Sequence, residues 1–331
     1  MSGTQPYLSV VMVARNDNYG GDFTSRLAIC LKNLNWLNEI YKIPLELIVV
    51  EWNPPLNAIG LLSLIKEKLE FQKISFLLRV ITVPREIHYN VAKNVNTPLL
   101  EYTGKNVGIR RANGEFILVT NPDIIFSSEL FKFFSSKTLS QSRLYRVDRY
   151  DVKSPIPKFE NLSDLQSYCE NNVTMVFSGL GIYDLRYGSS IKQKAIYMLR
   201  RIKYLPNYPP HLYAPGDFLL MHRDDWHMIG GFAEFDQMGE AHHIDSLAVL
   251  MAKHLGIKQR SLSNKLRIFH QEHMRRSDTK PLSALVFEAY NKLKQGEFPK
   301  ELLWRKNWGL PNITLAEEML QNSSNDLTNI S

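Results

Sequence analysis

The chain has 331 residues, 44% of them hydrophobic, with a formal net charge of +7 and a pI near 9.2. Its only cysteines are Cys30 and Cys169, which excludes a disulfide framework or a cysteine zinc cluster. We find neither an ordinary export signal nor a run of about 18 apolar residues that would span a membrane. These features predict a cytoplasmic protein. The positive charge favours an anionic partner, although an ordinary basic soluble protein would carry it too.

The first part of the chain alternates between strand-like and helix-like segments. Apolar runs predict strands at 8–14, 45–50 and 76–83, and apolar residues at helical spacing predict helices at 23–41 and 56–73. Such alternation predicts an α/β fold with a mostly parallel sheet and helices on both faces. A dinucleotide fingerprint after the first strand and a P-loop are both missing from the sequence.

Polar residues follow the first two predicted strands. Arg15, Asn16 and Asp17 come directly after the first, and Glu51 ends the second, just before two prolines that stop it. The carboxyl ends of parallel strands share one edge of the sheet, where open α/β sheets bind their ligands. We therefore expect these residues beside a ligand.

The segment 104–126, GKNVGIRRANGEFILVTNPDIIF, is the most informative stretch. The strand predicted at 116–120 must end at Pro122, which cannot donate to a sheet ladder, so Asp123 should lie at the ligand edge. Small residues before this strand allow close packing of a helix on the sheet; they are Gly108, Ala112 and Gly114. A carboxylate and several anion-binding groups suit a metal-bound diphosphate. Those groups are Lys105, Asn106, Arg110 and Arg111.

The second half contains a predicted half-exposed strand at 141–152 and then a stretch, 154–215, that looks like an insertion rich in Pro, Tyr, Asn and Gly. Six basic residues and no acidic one lie between Leu185 and Gly216. An amphipathic helix there could contact an anionic membrane surface or an anionic acceptor. An ordinary solvated helix face explains the pattern too, and a single short helix favours that simpler interpretation.

The remaining segments complete the predicted order of elements. A strand is predicted at 218–221, and a helix beginning near His243 would carry Asp245 in its first turn. Residues 267–273 predict a last strand that ends in polar ligands. We expect a helical stretch at 281–320, broken at 304–311, and a disordered tail at 321–331.

Together these segments resemble the GT-A-fold glycosyltransferases, especially the inverting family 2 group. The resemblance is carried by SVVMVARND, LIVVEW, KNVGIRRANGEFILVTNPD, GDFLLMHRDDWHMIGGF and HHIDS, over roughly residues 7–275. The NPD sequence resembles a variant of the D-x-D metal motif of that family. The resemblance implies a catalytic domain at 1–275, with a nucleotide-binding half at 1–125 and an acceptor and catalytic half at 126–275 that contains the insertion. A C-terminal helical extension at 276–320 would follow.

The resemblance also implies roles for individual residues. Asp123 would bind a divalent cation, Mn²⁺ or Mg²⁺, and His270 or His273 could complete the metal shell because imidazole is acceptable to Mn²⁺. Asp245 corresponds to the family's catalytic carboxylate, which acts as general base. Asp217, His242 and His243 are assigned to the acceptor. The residues assigned to the nucleotide-sugar donor are Ala14, Arg15, Asn16, Asp17, Glu51, Lys105, Asn106, Arg110 and Asn121.

The function implied by this resemblance is metal-dependent transfer of a sugar from a nucleotide-sugar donor to a glycan or glycolipid, with inversion at the anomeric carbon. Asn121 stands where the D-x-D motif has its first Asp, and this keeps a non-catalytic binding module of the same fold as an alternative. A sugar-nucleotide nucleotidyltransferase is disfavoured because ARNDNYGG poorly matches its Gly-rich loop. Transfer onto nucleic acid would rest only on the basic segment at 186–203. HQEH lacks the histidine spacing of zinc proteases.

Overall fold

The computed structural model describes residues 5–68, 74–92, 97–186, 190–204, 209–234, 243–262, 265–274, 284–299 and 307–320. The strands in this part of the chain are β1 Leu8–Ala14, β2 Leu45–Trp52, β3 Leu77–Val83, β4 Phe116–Val119, β5 Ile124–Phe126, β6 Arg143–Arg146, β7 Arg149–Val152, β8 Val173–Ser178, β9 Gly181–Asp184, β10 Leu219–His222, β11 Lys258–Ser261, β12 Ile268–Gln271 and β13 Ala316–Leu320. The helices are α1 Phe23–Tyr41, α2 Leu61–Lys68, α3 Arg85–Val91, α4 Glu101–Arg111, α5 Ser128–Ser135, α6 Leu162–Asn171, α7 Ser190–Tyr204, α8 Arg223–Ile229, α9 Ile244–His254 and α10 Ala284–Lys294.

A central eight-stranded sheet has the order β11-β6-β10-β4-β1-β2-β3-β13. Its middle strands, β4, β1, β2 and β3, are parallel, whereas β10 and β13 run antiparallel to their neighbours β4 and β3. The predicted α/β class, with a mostly parallel central sheet flanked by helices, is confirmed. The strands predicted at 8–14 and 76–83 and the helix predicted at 23–41 are present.

The central strands are buried on both faces, which explains their continuous apolar sequence. In β1, Val10 and Met12 belong to the core covered by α1, and Val11 and Val13 belong to the core covered by α4 and α9. Helix α4 lies close to the sheet because it carries glycine at the contact. A Cβ atom at Gly108 would overlap Cγ1 of Val11, so the predicted close packing of the small residues on the sheet is confirmed there.

A second, five-stranded sheet has the order β5-β12-β7-β8-β9. The segment 141–152 is therefore not one strand, as predicted, but two that join different sheets: β6 pairs with β10 and β11, and β7 pairs with β12 and β8. Within the stretch 154–215, β8 and β9 extend the second sheet and α7 packs on β9. Local composition gave no sign of how 141–152 divides, because β6 and β7 pair with β10, β11 and β12, which are distant in sequence.

The C-terminal segment differs from the predicted helical extension. Helix α10 is present, but 316–320 forms the edge strand β13 beside β3. An ion pair holds it there: Nε of the buried Arg79 lies 2.6 Å from Oε1 of Glu317. The predicted disordered tail, 321–331, lies outside the described residues. Among the described helices, none is long and apolar enough to cross a membrane.

Candidate active site

The loops after β1 and β2 meet at the carboxyl edge of the sheet. Nε of Arg15 donates to the carbonyl of Asn53 at 2.7 Å, and Nη1 contacts Oδ2 of Asp17 at 2.6 Å. The amide of Asn16 donates to the carbonyl of Ile59 at 3.0 Å. The three residues of the first loop that were predicted to bind a nucleotide-sugar donor therefore lie together. They also hold that loop against the loop that follows β2.

Glu51 lies at the same edge, paired in register with Ala14 of β1. Both residues are buried, and Oε1 of Glu51 accepts the backbone N–H of Leu61 at 3.0 Å. Burial raises the pKa of the Glu51 carboxyl, which favours its protonated form more than in water. Glu51 therefore secures the start of α2 and adds little negative charge to this edge when it is protonated.

Asp123, His270 and His273 form a compact cluster at the junction of the two sheets. Asp123 precedes β5, and its carbonyl accepts the backbone N–H of Gln271 in β12 at 3.1 Å. This pairing places Oδ2 of Asp123 3.7 Å from Nε2 of His270 and 3.2 Å from Nε2 of His273. One potential ligand atom from each of the three residues lies within 4.8 Å of the others. The structure brings together all three residues that were predicted to bind metal.

The orientation of both imidazoles leaves Nε2 facing Asp123. Nδ1 of His273 lies 3.0 Å from the carbonyl of Met274, and Nδ1 of His270 lies 3.3 Å from Oδ1 of Asp151, close enough for pairing though without hydrogen-bond geometry. These acceptors favour a proton on Nδ1, which leaves Nε2 as the ring nitrogen that a cation would take in place of any proton shared with Asp123. Outer carboxylates and carbonyls orient histidine ligands in metal sites in this way.

The charges in this cluster support a cation. Burial raises the pKa of Asp123, but the neighbouring His270 and His273 hold it below its ordinary value, so the carboxylate stays ionised. Oδ1 of Asp123 is shielded from solvent and has no hydrogen-bond partner among the described residues. A buried carboxylate oxygen of this kind is costly unless something positive binds it. One oxygen and two imidazole nitrogens form a donor set that suits a divalent first-row transition metal, Mn²⁺ among them, better than it suits Mg²⁺.

The loop between β1 and α1 packs over His273. The ring of Tyr19 lies 5.4 Å from the ring of His273 in an edge-on arrangement, and a Cβ atom at Gly20 would collide with Nδ1 of His273. Arg26 holds this loop by donating to the carbonyls of Tyr19 and Gly21. Sequence reasoning missed Arg26, since a basic residue in an amphipathic helix that also carries Lys32 gives no signal.

A buried chain of polar groups extends from the cluster. Oδ1 of Asp217 accepts from the amide of Asn121 at 2.6 Å, and its Oδ2 lies 2.6 Å from Nη1 of Arg149. Nε of Arg149 is 2.8 Å from Oδ1 of Asp151, the carboxylate that faces His270. Burial raises the pKa of Asp217, but the positive charge of Arg149 outweighs this and lowers it to about 2.

This chain changes the interpretation of two predicted contacts. Both carboxylate oxygens of Asp217 are engaged inside the protein, so an acceptor contact would require a bond to open. The side-chain amide of Asn121 is likewise engaged, because it donates to Asp217. Arg149 and Asp151 were not singled out from the sequence, although the alternating apolar and charged pattern at 141–152 was visible.

Asp245 lies in the first turn of α9, as predicted, and is half-buried. Its Oδ2 accepts the backbone N–H of Gly216 at 3.1 Å, and its Oδ1 accepts that of Ser246 at 2.8 Å. Since Gly216 precedes Asp217 in the short 3-10 turn Pro215–Asp217, this turn links Asp245 to the polar chain that leads to His270.

The three residues predicted on α4 are engaged within the protein. Lys105 is fully buried, with Nζ 2.6 Å from Oε1 of Glu101 and 3.0 Å from the carbonyl of Gly216. Asn106 is also fully buried and donates to the carbonyl of Phe232. Arg110 donates to the carbonyl of Trp308. In this conformation the three side chains hold neighbouring backbone in place. Contact with a nucleotide-sugar donor would require their hydrogen bonds to break.

The predicted acceptor histidines are described only in part. His243 is exposed and precedes α9, with its ring 5.0 Å from that of Tyr290. His242 lies outside the described residues. The structure thus places His243 two positions from Asp245, on the solvent side of the helix start.

Comparison with solved structures gives a distant likeness, whereas the other two comparisons give no match. No family model and no curated protein matches the chain. Among solved structures it is similar to the crystal structure of residues 1–349 of S. aureus TarS, at 14% identity and a TM-score of 0.45. The match covers 80% of this chain and 60% of that one, so the chain spans less than two thirds of the neighbour's length. This likeness assigns neither a family nor a function.

Proposed function

We propose that this protein is a metal-dependent glycosyltransferase that moves a sugar from a nucleotide-sugar donor to a glycan or glycolipid acceptor. The observation that carries the proposal is the convergence of Asp123, His270 and His273 at the carboxyl edge of the sheet. In open α/β folds this edge is where ligands bind. Loops that carry Arg15, Asn16 and Asp17 end at the same edge.

Asp123, His270 and His273 would hold the divalent cation. When bound, Mn²⁺ or Mg²⁺ supplies Lewis-acid stabilisation of the negative charge that develops on the departing diphosphate. The protein's own part is to present an ionised Asp123 carboxylate and to fix the Nε2 atoms of both histidines toward it. Asp151 and the carbonyl of Met274 provide that orientation from the far side of each ring.

Asp245 would act as the general base. Its carboxylate is half-buried, and the backbone N–H groups of Gly216 and Ser246 fix its orientation. The acceptor hydroxyl oxygen forms a bond to the anomeric carbon, the bond from that carbon to the diphosphate oxygen breaks with its electron pair, and the hydroxyl proton passes to Asp245. A single displacement of this kind inverts the anomeric configuration.

The donor side of the proposal rests on the loops after β1 and β2. Arg15 and Asn16 lie at this edge, held by bonds to Asn53, Asp17 and Ile59, and Glu51 lies at the same edge in β2. We assign these residues to the nucleoside part of the donor, because they lie at the sheet edge on the β1 and β2 side of Asp123.

A thermal-shift panel tests the proposal. UDP, GDP, CDP, ADP and dTDP are each added with and without Mn²⁺ to wild type, Asp123→Ala and the control Asp184→Ala, which removes an exposed carboxylate on β9. Ligands that bind only the folded state raise the melting temperature. We expect one nucleotide to give a Mn²⁺-dependent shift in wild type and in the control, and no such shift in Asp123→Ala. The absence of a shift with every nucleotide would contradict the proposal.

A further inference from the structure

Helix α7, Ser190–Tyr204, presents an apolar stripe to solvent. Ile191 is 82% exposed, Leu199 67% and Ile202 72%, and Met198 is also exposed. At about 100° per residue these positions, together with Ala195, fall on one side of the helix. Isolated exposed aliphatic side chains are common, but four on one helix face form a continuous patch that marks an interaction surface.

The opposite side of α7 fixes the helix to the second sheet. Tyr197 is buried, and its ring lies 5.1 Å from that of Tyr183 in the edge strand β9. Its hydroxyl lies 3.0 Å from the hydroxyl of Tyr150 in β7. These contacts determine which face of α7 is inward, so the exposure of the apolar stripe is a consequence of how the helix packs.

Basic residues border the stripe. Lys192 and Lys194 are exposed and fall on its two flanks by helical spacing. Arg201 and Lys203 occupy one further position on each flank of the same helix. Between Leu185 and Gly216 the sequence has no Asp or Glu to offset these charges.

We propose that α7 docks the protein on an anionic lipid bilayer, lying in the plane of the interface with its apolar stripe among the acyl chains. An apolar stripe flanked by lysine and arginine is the pattern of interfacial helices, in which the basic side chains reach the lipid headgroups. This inference rests on α7 and its packing and does not require the proposed sugar transfer.

Two other occupants fit less well. A second copy of the chain that packed stripe to stripe would bring the basic flanks of both helices together, which opposes pairing. A nucleic acid would use the basic residues but would leave Leu199 and Ile202 without a partner, because its outer surface is the charged phosphate backbone.

Vesicle flotation of the full chain tests the inference. Wild type is mixed with vesicles of phosphatidylcholine alone and of phosphatidylcholine with phosphatidylglycerol. We expect it to float with the mixed vesicles and to bind pure phosphatidylcholine at least tenfold more weakly. Raising the salt to about 1 M, where the Debye length is ~3 Å, should release much of the bound protein.

Two variants separate the apolar and the charged contributions. Leu199→Ser with Ile202→Ser should weaken binding to mixed vesicles by about tenfold or more, since two aliphatic side chains no longer enter the bilayer. Lys192→Glu with Lys194→Glu should remove the preference for the anionic lipid. The matched control, Ile40→Ser with Leu56→Ser, replaces two other exposed aliphatic residues and should bind as wild type does.

Three results would overturn the inference. One is wild type that binds neither kind of vesicle. Another is a Leu199 and Ile202 variant that still binds as wild type does while circular dichroism shows it folded. The third is a dimer, detected by sedimentation velocity, that dissociates in the same variant and shows that a second copy covers the stripe.

Discussion

Oδ1 of Asp151 lies 3.3 Å from Nδ1 of His270, while Nε2 of the same ring faces Asp123. The ring therefore lies between two carboxylates. Asp151 sets its orientation, and Asp123 would bind the same proposed cation. This arrangement gives His270 a fixed direction even though β12 is only four residues long.

Asp151→Asn should weaken Mn²⁺ binding by about 10- to 100-fold, the usual cost of losing a partner that orients a histidine ligand. Isothermal titration with MnCl₂ measures this change. The control is Asp148→Asn, which alters another buried carboxylate that pairs with a histidine, His211 at 3.2 Å, outside the cluster. Equal Mn²⁺ affinity in wild type and Asp151→Asn, or an equal loss in both variants, would show that Asp151 does not orient a ligand.

Asp245→Asn should lower turnover of the donor by about 10²- to 10⁴-fold, because an amide cannot accept the acceptor proton. Nucleotide binding should persist, since Asp245 contacts the backbone of Gly216 and Ser246 and is not among the residues assigned to the donor. Steady-state rates with the nucleotide sugar identified by the thermal-shift panel provide the measurement. Asp224→Asn, another acid in the first turn of a helix, is the control. Undiminished turnover in Asp245→Asn would remove the general-base assignment.

Asp217→Asn should destabilise the protein by about 3 kcal/mol at pH 7, because it leaves the buried Arg149 with only part of its compensating charge. Urea unfolding of both proteins measures the difference.

The pH dependence of this difference has a defined sign. The pKa of Asp217 is lowered to about 2 in the folded protein, so its stabilising charge is fully present above the ordinary carboxyl pKa and is lost as the pH falls toward 2. The difference in free energy of unfolding between wild type and Asp217→Asn should stay constant from pH 7 to 5 and become smaller below about pH 4. If this difference in free energy instead grew as the pH fell, the pairing of Asp217 with Arg149 would be contradicted.

Gly108→Ala should destabilise the fold by about 2 kcal/mol or more, since the added methyl overlaps Val11 and forces α4 away from the sheet. Thermal unfolding measures this effect. Gly60→Ala is the matched control, because a Cβ atom there would meet only Oε2 of Glu51, at an ordinary 3.7 Å. Equal stability of the two variants would show that α4 can move without cost.

Much of the central sheet could be predicted because its strands are buried on both faces. The run Leu8–Ala14 has no polar interruption that would suit a surface helix, apart from the small Ser9, and the structure gives the same bounds. The polar residues that follow each strand lie at one edge for a different reason, because parallel strands have their carboxyl ends at the same edge of the sheet.

The parts that could not be predicted depend on partners distant in sequence. Residues 316–320, AEEML, carry no strand period, and they form β13 only because β3 offers an open edge and Arg79 pairs with Glu317. Likewise, nothing near Arg149 in sequence indicates that Asp217 will neutralise it. The three residues of the metal cluster could be proposed from the sequence through resemblance and ligand chemistry. The contact of Asp151 with His270 could be recognised only from the fold.

A titration of Mn²⁺ followed by electron paramagnetic resonance, on wild type, Asp123→Ala and the control Asp184→Ala, tests the proposed metal centre. The signal of free Mn²⁺ reports how much of the ion is bound. We expect one site per chain in wild type and in the control, and loss of that site in Asp123→Ala, because the carboxylate that lies beside both imidazoles is gone. Equal Mn²⁺ binding by Asp123→Ala and wild type, or no binding by wild type, would contradict the proposed metal centre.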